Sequence, residues 1–346
     1  MKFEAVTIKD IAKALGLSTS TVSRALRDSY EISPETKQMV LEYAKQINYR
    51  PNPIALSLKE RRSRSIGVIV SEIANSFFSQ IINGIESAAY SRGYNVIISQ
   101  SHESYEREVV NMDFLSSRSV DGFLISVSTE TKDFAHINDL HERGLPMVFV
   151  DRMVETIETH KVVADNFKGA YDATMHLIKN GYKRIAHLAN SEYLSITKER
   201  VAGYWKAMSD AKMELDDNYL KHCLHGGMIY EEVDSAMNEL MNQKHKPEAL
   251  FASSDKLTTN SMRYCRANNI TIPDDLAMVG FSNLDLTELL SPSLSVVRQP
   301  AFEMGEVAAE LLINTIESKR PVTVFETRVL PAELFIRESS GRKKRK

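Results

Sequence analysis

The sequence of 346 residues holds only two cysteines, Cys223 and Cys265, and neither belongs to a CxxC or Cys/His spacing that suits zinc. That excludes a disulfide framework, and the pair reads as reduced thiols of a cytosolic protein. His222 and His225 flank Cys223, but a metal centre needs more ligands at fixed spacing, so neither a metal nor another cofactor is expected. No apolar run approaches the ~20 residues that span a bilayer. The opening Met1-Lys2-Phe3-Glu4 lacks the apolar stretch of a signal peptide, so a cytoplasmic location is expected and a membrane partner is not. Catalytic signatures are missing too. There is no GxxxxGKS/T, HExxH or GxSxG segment, and the nine histidines are dispersed without a nucleophile–base pair. Asp151, Asp165 and Asp255 show no spacing that argues for paired glycosidase carboxylates. An enzyme is not expected.

The hydrophobic fraction of 43% is enough for a large core without staples, and the length suits two or three domains. The net charge of -3 conceals an asymmetry. Residues 1–65 carry six Lys and six Arg against seven acidic residues, a net +5, which leaves -8 on the remainder. A basic head on an acidic body places any contact with a polyanion on the head.

Beyond residue 65 the chain alternates short apolar runs with helical patterns. Ile66–Val70, Asn95–Ser99, Gly122–Ser126, Met147–Asp151, Arg184–Ala189, Leu250–Ser253 and Met278–Phe281 read as buried strands. Phe78–Arg92, Glu103–Ser117 and Gly169–Asn180 read as helices. This alternation predicts an α/β class with parallel sheets covered on both faces, and the units are too many for one sheet.

The first fifty residues read differently. Thr7 with Asp10 forms a capping-box-like start, and Ile8, Ile11, Ala12 and Leu15 make one apolar face that Gly16 terminates. Ser18 caps a second helix in which Val22, Ala25 and Leu26 face inward. Thr19, Ser20, Ser23, Arg24 and Arg27 face out. Ser33-Pro34 starts a third helix with Met39, Val40, Tyr43, Ala44 and Ile47 as its buried face. Two short helices across a Gly-containing turn make a helix-turn-helix, whose second helix would enter a DNA major groove. A domain that merely docks another protein is the alternative, but the outward stripe offers no apolar anchor. Arg24 suits bidentate contact with guanine. Thr19 and Ser20 are shorter, less specific readers, and Thr7, Thr21 and Ser23 suit phosphates.

The connector Tyr49-Arg50-Pro51-Asn52-Pro53-Ile54-Ala55-Leu56-Ser57-Leu58-Lys59 can start a helix at Asn52-Pro53, with Ile54, Ala55 and Leu58 on one face. At about two turns it is below the ~12–15 residues that stay helical alone. It would form only against a partner copy and DNA, where Leu58 can wedge into the minor groove and Lys59, Arg61, Arg62 and Arg64 can meet phosphates. A flexible linker is the equal alternative.

The motifs TIKDIAKALGLSTSTVSRAL (7–26), SPET (33–36) and NYRPNPIALSL (48–58) together resemble the LacI/GalR family of bacterial transcription regulators, and the resemblance runs from Val6 to about Arg337. It implies an all-α helix-turn-helix head over 1–50 and a hinge helix and linker over 51–65. It further implies a two-lobed, doubly wound, periplasmic-binding-protein-like effector-binding and dimerisation domain over 66–338, and a basic tail over 339–346. Lobe 1 is expected near 66–162 plus 293–322, and lobe 2 near 163–292 plus 323–338. The implied DNA-contacting set is Thr7, Ser18, Thr19, Ser20, Thr21, Ser23, Arg24, Arg27, Tyr49, Asn52, Ala55, Leu58 and Lys59. Ligands of such sheets sit beyond the strands' carboxyl ends. There the resemblance points to Phe77, Phe78, Asp151, Arg152, Arg200 in ERVAGY, Ser254 and Asp255. Where the family often has GYD this chain has Gly280-Phe281-Ser282-Asn283, which shifts a carboxylate's role to Ser282 or Asn283. Where the family commonly has Ala-Arg-Ser-Leu it has Ala55-Leu56-Ser57-Leu58, so one phosphate contact is lost. The implied partners are a pseudo-palindromic double-stranded operator, a second copy of the chain, and a small-molecule effector that by family habit is a sugar or sugar derivative.

Overall fold

A computed structural model describes residues 6–49 and 62–341. The expected hinge contacts Asn52, Ala55, Leu58 and Lys59 lie outside those residues, as do positions 342–346 of the tail. The chain divides into two compact units, 1–63 and 64–346.

The first unit packs α1 (Ile8–Leu15), α2 (Thr19–Ala25) and α3 (Pro34–Gln46) around Ile11, Ala12, Val22, Ala25, Val40 and Ala44. Gly16 closes α1 with φ +66 and its N–H bonded to Ala12 O, a left-handed cap that residues with a Cβ adopt at a cost. Met39, expected on the buried face of α3, is instead 44% exposed. Val40 and Ala44 fill the centre of that seam, Tyr43 and Ile47 flank it, and Met39 is left at its edge.

The second unit contains two six-stranded sheets. The first has the order β11-β5-β4-β3-β1-β2, from β1 (Ser65–Val70), β2 (Asn95–Gln100), β3 (Phe123–Ile125), β4 (Met147–Val150), β5 (His160–Ala164) and β11 (Thr327–Leu330). All its pairings are parallel. The second has the order β12-β10-β9-β8-β6-β7, from β6 (Ile185–Ala189), β7 (Leu220–His222), β8 (Ala249–Ala252), β9 (Ala277–Phe281), β10 (Ser295–Arg298) and β12 (Glu333–Phe335). Here only β12 runs antiparallel. Continuous apolar stretches such as Ile66–Val70 and Ala249–Ala252 occupy strands covered on both faces. Asn95–Gln100 departs from that expectation, because it is an edge strand with Ile97 and Ile98 exposed.

Helices α4 (Ser76–Ser91), α5 (Tyr105–Ser117), α6 (Ala135–Glu142) and α11 (Ala301–Glu317) belong to the first lobe. The second lobe has α7 (Asn166–Lys179), α8 (Ser195–Asp210), α9 (Tyr230–Met241) and α10 (Asp255–Ala267). α4 and α11 meet backbone to backbone: a Cβ at Gly84 would strike the Phe302 carbonyl, and one at Gly305 the Ile81 carbonyl.

The lobe boundaries differ from the expected ones. β10 (295–298) was expected in the first lobe and lies in the second sheet, whereas β11 (327–330) was expected in the second lobe and lies in the first. The chain therefore crosses between lobes at 164–166, 298–301 and 330–333. The tail also starts later than expected. Ser339 and Ser340 are fully buried, with Ser339 Oγ donating to Met278 O at 2.8 Å and Ser340 Oγ meeting His176 Nε2 at 2.7 Å.

Candidate functional sites

In the head, the outward face of α2 presents Thr19, Ser20 and Arg24, all exposed, opposite buried Val22 and Ala25. The remaining side chains of this face are partly committed to local structure. Ser18 Oγ accepts the Thr21 N–H at 3.1 Å and lies 2.8 Å from the Ser20 and Thr21 hydroxyls. Arg27 folds back, its Nε and Nη2 donating to the Ser23 carbonyl and hydroxyl at 2.9 and 2.8 Å. Thr7 donates through its N–H and its hydroxyl to Asp10, and these bonds hold that carboxyl below its usual range. Arg24 pairs with Glu31 at 3.1 Å, an exposed and therefore exchangeable contact. Tyr49 is half-buried at the end of the unit, its hydroxyl pushed up by burial.

In the second unit, both sheets follow the doubly wound order in which the direction of strand addition reverses beside the first strand of each, and such switch points create a crevice at the strands' carboxyl ends. Between the two lobes this crevice is a cavity of about 50 Å3. Phe77 and Phe78 reach it from the first turn of α4, where Asn75 Oδ1 accepts both their N–H groups, at 2.9 and 3.4 Å. Asp151, beyond β4, holds φ +65 and is 3% exposed. Burial raises its pKa, Arg200 and Arg152 opposing.

Arg200, on α8, is also 3% exposed. It donates to Asn166 Oδ1 at 2.9 Å, Ser253 O at 2.5 Å and Gln299 Oε1 at 3.4 Å, and lies 3.8 Å from the Phe281 ring centre. Burial pulls it down to about 10 while Asp151 pulls the other way. Ser254 caps α10 by accepting the Leu257 N–H, and Asp255 follows it, its pKa raised by burial although Ser282 and the Asn283 N–H donate to it. Asn283 lines the cavity; Ser282 does not, since its hydroxyl is turned onto Asp255 at 2.5 Å. Of the two residues expected to stand in for the GYD aspartate, Asn283 thus faces the cavity and Ser282 orients Asp255.

Arg152 lines the cavity as well, but its charge is already met. Nη1 and Nη2 bond the two carboxylate oxygens of Glu103 at 2.6 and 2.9 Å. Burial alone would raise Glu103; Arg152 and Thr129 hold it below its usual value. Glu103 carries no sequence signal, because its contact depends on a loop between β2 and α5. Asn75, Asn190 and Gln299 also line the cavity and were not singled out. Their signal is position, just past the carboxyl ends of β1, β6 and β10.

The lobes are closed on one another. Asn283 Nδ2 donates to Gln80 Oε1 at 3.0 Å, Lys256 pairs with Glu72 at 3.2 Å, and Lys132 Nζ lies 4.1 Å from the Tyr193 ring centre. Gln299 Nε2 donates to Asp151 at 3.2 Å. The space left has room for only a few waters at about 10–15 Å3 each, far below the roughly 300–1,000 Å3 of a typical ligand pocket. Admission of a ligand therefore requires the lobes to part.

Residues 7–52 match the model of bacterial regulatory proteins, lacI family, and residues 63–337 that of periplasmic binding proteins and sugar binding domain of LacI family. The chain is 32% identical over 337 residues to the HTH-type transcriptional repressor CytR of Escherichia coli K12, covering 97% of this chain and 96% of the relative. It is 32% identical over 313 residues to the HTH-type transcriptional repressor PurR of Vibrio cholerae serotype O1 strain M66-2, covering 90% and 92%. Among solved structures, a transcriptional regulator CelR–cellobiose complex superposes with TM-score 0.71 at 30% identity, covering 96% of this chain and 99% of that one. With both segments matched and relatives aligned along nearly its whole length, the chain belongs to the LacI family of bacterial regulatory proteins.

Proposed function

We propose that this protein is a cytoplasmic transcriptional repressor that reads an operator through α2 and releases or grips it according to a small molecule in the interlobe cleft. The observation that carries this reading is the outward face of α2, where exposed Thr19, Ser20 and Arg24 stand over a sealed core. Arg24 reads a base edge; Thr7, Ser18, Thr21, Ser23, Arg27 and Tyr49 fix register on phosphates. The effector is a sugar or sugar derivative that meets Phe77, Phe78, Asp151, Arg200 and Asn283. Lobe motion is passed to the head through 51–65, and the coupling is reciprocal, so operator binding alters effector affinity by the same factor.

The working unit is a homodimer on a pseudo-palindromic site. Exposed Ile97 and Ile98 on edge strand β2, with Val110 and Phe114 on α5, supply the unpartnered apolar surface a second copy would cover. Selection from a random duplex library tests the reading. Full-length protein should enrich an inverted repeat, and Arg24→Ala should flatten preference at one symmetric position. Enrichment of no sequence would overturn it.

A further inference from the structure

We propose that Tyr30, in the turn between α2 and α3, is a second base reader, whose ring packs on a thymine methyl beside the base pair that Arg24 reads. The inference rests on the operator reading of α2 and adds a residue to it.

Tyr30 is 93% exposed, more than any other large hydrophobic side chain among the described residues. A loose backbone is not the reason, because the turn is tied down on both sides. α2 ends with Asp28 at φ +56, and the Ser29 N–H returns to Arg24 O at 3.1 Å. Lys37 Nζ on α3 donates to Asp28 Oδ1 at 2.8 Å. The Ile32 N–H donates to Ser29 O at 3.3 Å, and Ile32 itself packs on the head core. The ring is thus held out from a fixed frame.

Lone exposed aromatic residues are common on surfaces, so its position decides. Glu31, the next residue, meets Arg24 Nη1 at 3.1 Å. The turn therefore runs beside the reading stripe, at the end away from the Ser18 cap. A duplex that takes Arg24 to a base edge brings the neighbouring pair, about 3.4 Å along the strand, to the side of the turn.

The chemistry of the turn selects a base edge over a phosphate. Tyr30 offers a neutral ring and one hydroxyl, and the exposed carboxyls of Asp28 and Glu31 stand on either side of it. Lys37 offsets Asp28, but Glu31 loses its partner as soon as Arg24 turns to a base. A phosphate at that point meets like charge. The thymine methyl is the apolar group that the major groove displays, and an aromatic face is its matching partner.

The test selects duplexes from a random library with full-length wild type, Tyr30→Ala, Tyr30→Phe and Arg24→Ala. Tyr30 is outside the head core, so its variants keep the fold. Wild type should prefer thymine at a position next to the one that Arg24→Ala flattens. Tyr30→Ala should lose that preference by about four-fold, the worth of one buried methyl, and Tyr30→Phe should keep it. Uracil in place of that thymine removes only the methyl. It should weaken wild type about four-fold and leave Tyr30→Ala unchanged. Tyr30→Phe weakening all duplexes alike, with preference intact, would mean a phosphate contact and overturn the proposal. So would Tyr30→Ala binding with wild-type affinity and preference. Enrichment of no sequence by wild type overturns the operator reading itself.

Discussion

Gln80 on α4 and Asn283 beyond β9 hold each other across the cleft. Asn283 Nδ2 donates to Gln80 Oε1 at 3.0 Å, and Gln80 Nε2 donates to the Asn283 carbonyl at 3.2 Å. Neither bond belongs to the internal structure of a lobe, so the pair acts on closure. Each is worth about 1 kcal/mol net. Gln80→Ala removes both and should therefore shift the open–closed balance of the effector-free protein toward open by roughly thirty-fold, with little change in the stability of either lobe. Small-angle scattering should read a larger radius of gyration, and an unchanged radius would show that the pair does not hold the lobes.

Arg24 is not idle while off DNA, because Glu31 holds its guanidinium at 3.1 Å. Reading a base requires that contact to exchange. Glu31→Gln should tighten operator binding by a few-fold, in keeping with the ~0–1 kcal/mol of an exposed ion pair, without altering which sequence is preferred. Arg24→Ala should instead cost about 1–3 kcal/mol of discrimination at one symmetric position. Fluorescence anisotropy on a panel of single-base operator variants separates the two effects.

Asp151 combines a left-handed backbone with a buried carboxyl whose pKa is raised by desolvation. Such a group favours the folded state when protonated, and that contribution is lost as pH rises through its folded-state pKa. Asn tolerates the same backbone region and carries no charge. Asp151→Asn should raise Tm at pH 7.5, by about 2–4 °C per kcal/mol relieved, and should narrow the gap to wild type as pH falls. Effector response should weaken at the same time, since the proposed function gives this carboxyl a place against the ligand. A variant less stable than wild type at pH 7.5 would contradict the desolvation account.

His187 lies in the core of β6, stacked on Phe251 at 4.6 Å, with Nδ1 placed 3.0 Å from the Phe251 carbonyl. Burial lowers its pKa from 6.5 to about 3. Between those values the unfolded chain takes a proton that the folded chain refuses, so stability falls as pH drops from 6.5 toward 3. The loss from this residue reaches about 4–5 kcal/mol at the acid end, at 1.36 kcal/mol per unit. His187→Gln should flatten that part of the stability–pH curve, measured by urea titration between pH 7 and pH 4.

Legibility in the sequence followed the physics that sets each feature. The head could be read almost residue by residue, because caps such as Ser18 and Ser33 and the spacing of Ile11, Ala12, Val22 and Val40 are local signals. Strand cores could be read for the same reason. Membership of a sheet could not: β10 and β11 are four-residue segments, one mostly buried and one mostly exposed, and only long-range pairing sends one to each lobe. At the cleft, Phe77, Asp151 and Arg200 were reached through motifs and strand ends. Glu103, by contrast, owes its place to a loop conformation with φ +64, and Ser282 turned out to face a carboxylate rather than the cavity.

The three crossovers also set a timetable for synthesis. β5 gains its outer neighbour only when Thr327–Leu330 exists, and the face over Ile81 and Ile85 is covered by α11, the last long helix. The lobe that begins first must therefore finish nearly last, about a hundred and sixty residues after its fifth strand has been made. Through that interval the nascent chain carries an open strand edge and an uncovered apolar face, while the second lobe lacks only β12 once β10 has emerged. A ribosome stalled anywhere before residue 301 thus displays a sticky half-built first lobe, so chaperone demand should be greatest while the second lobe is being made.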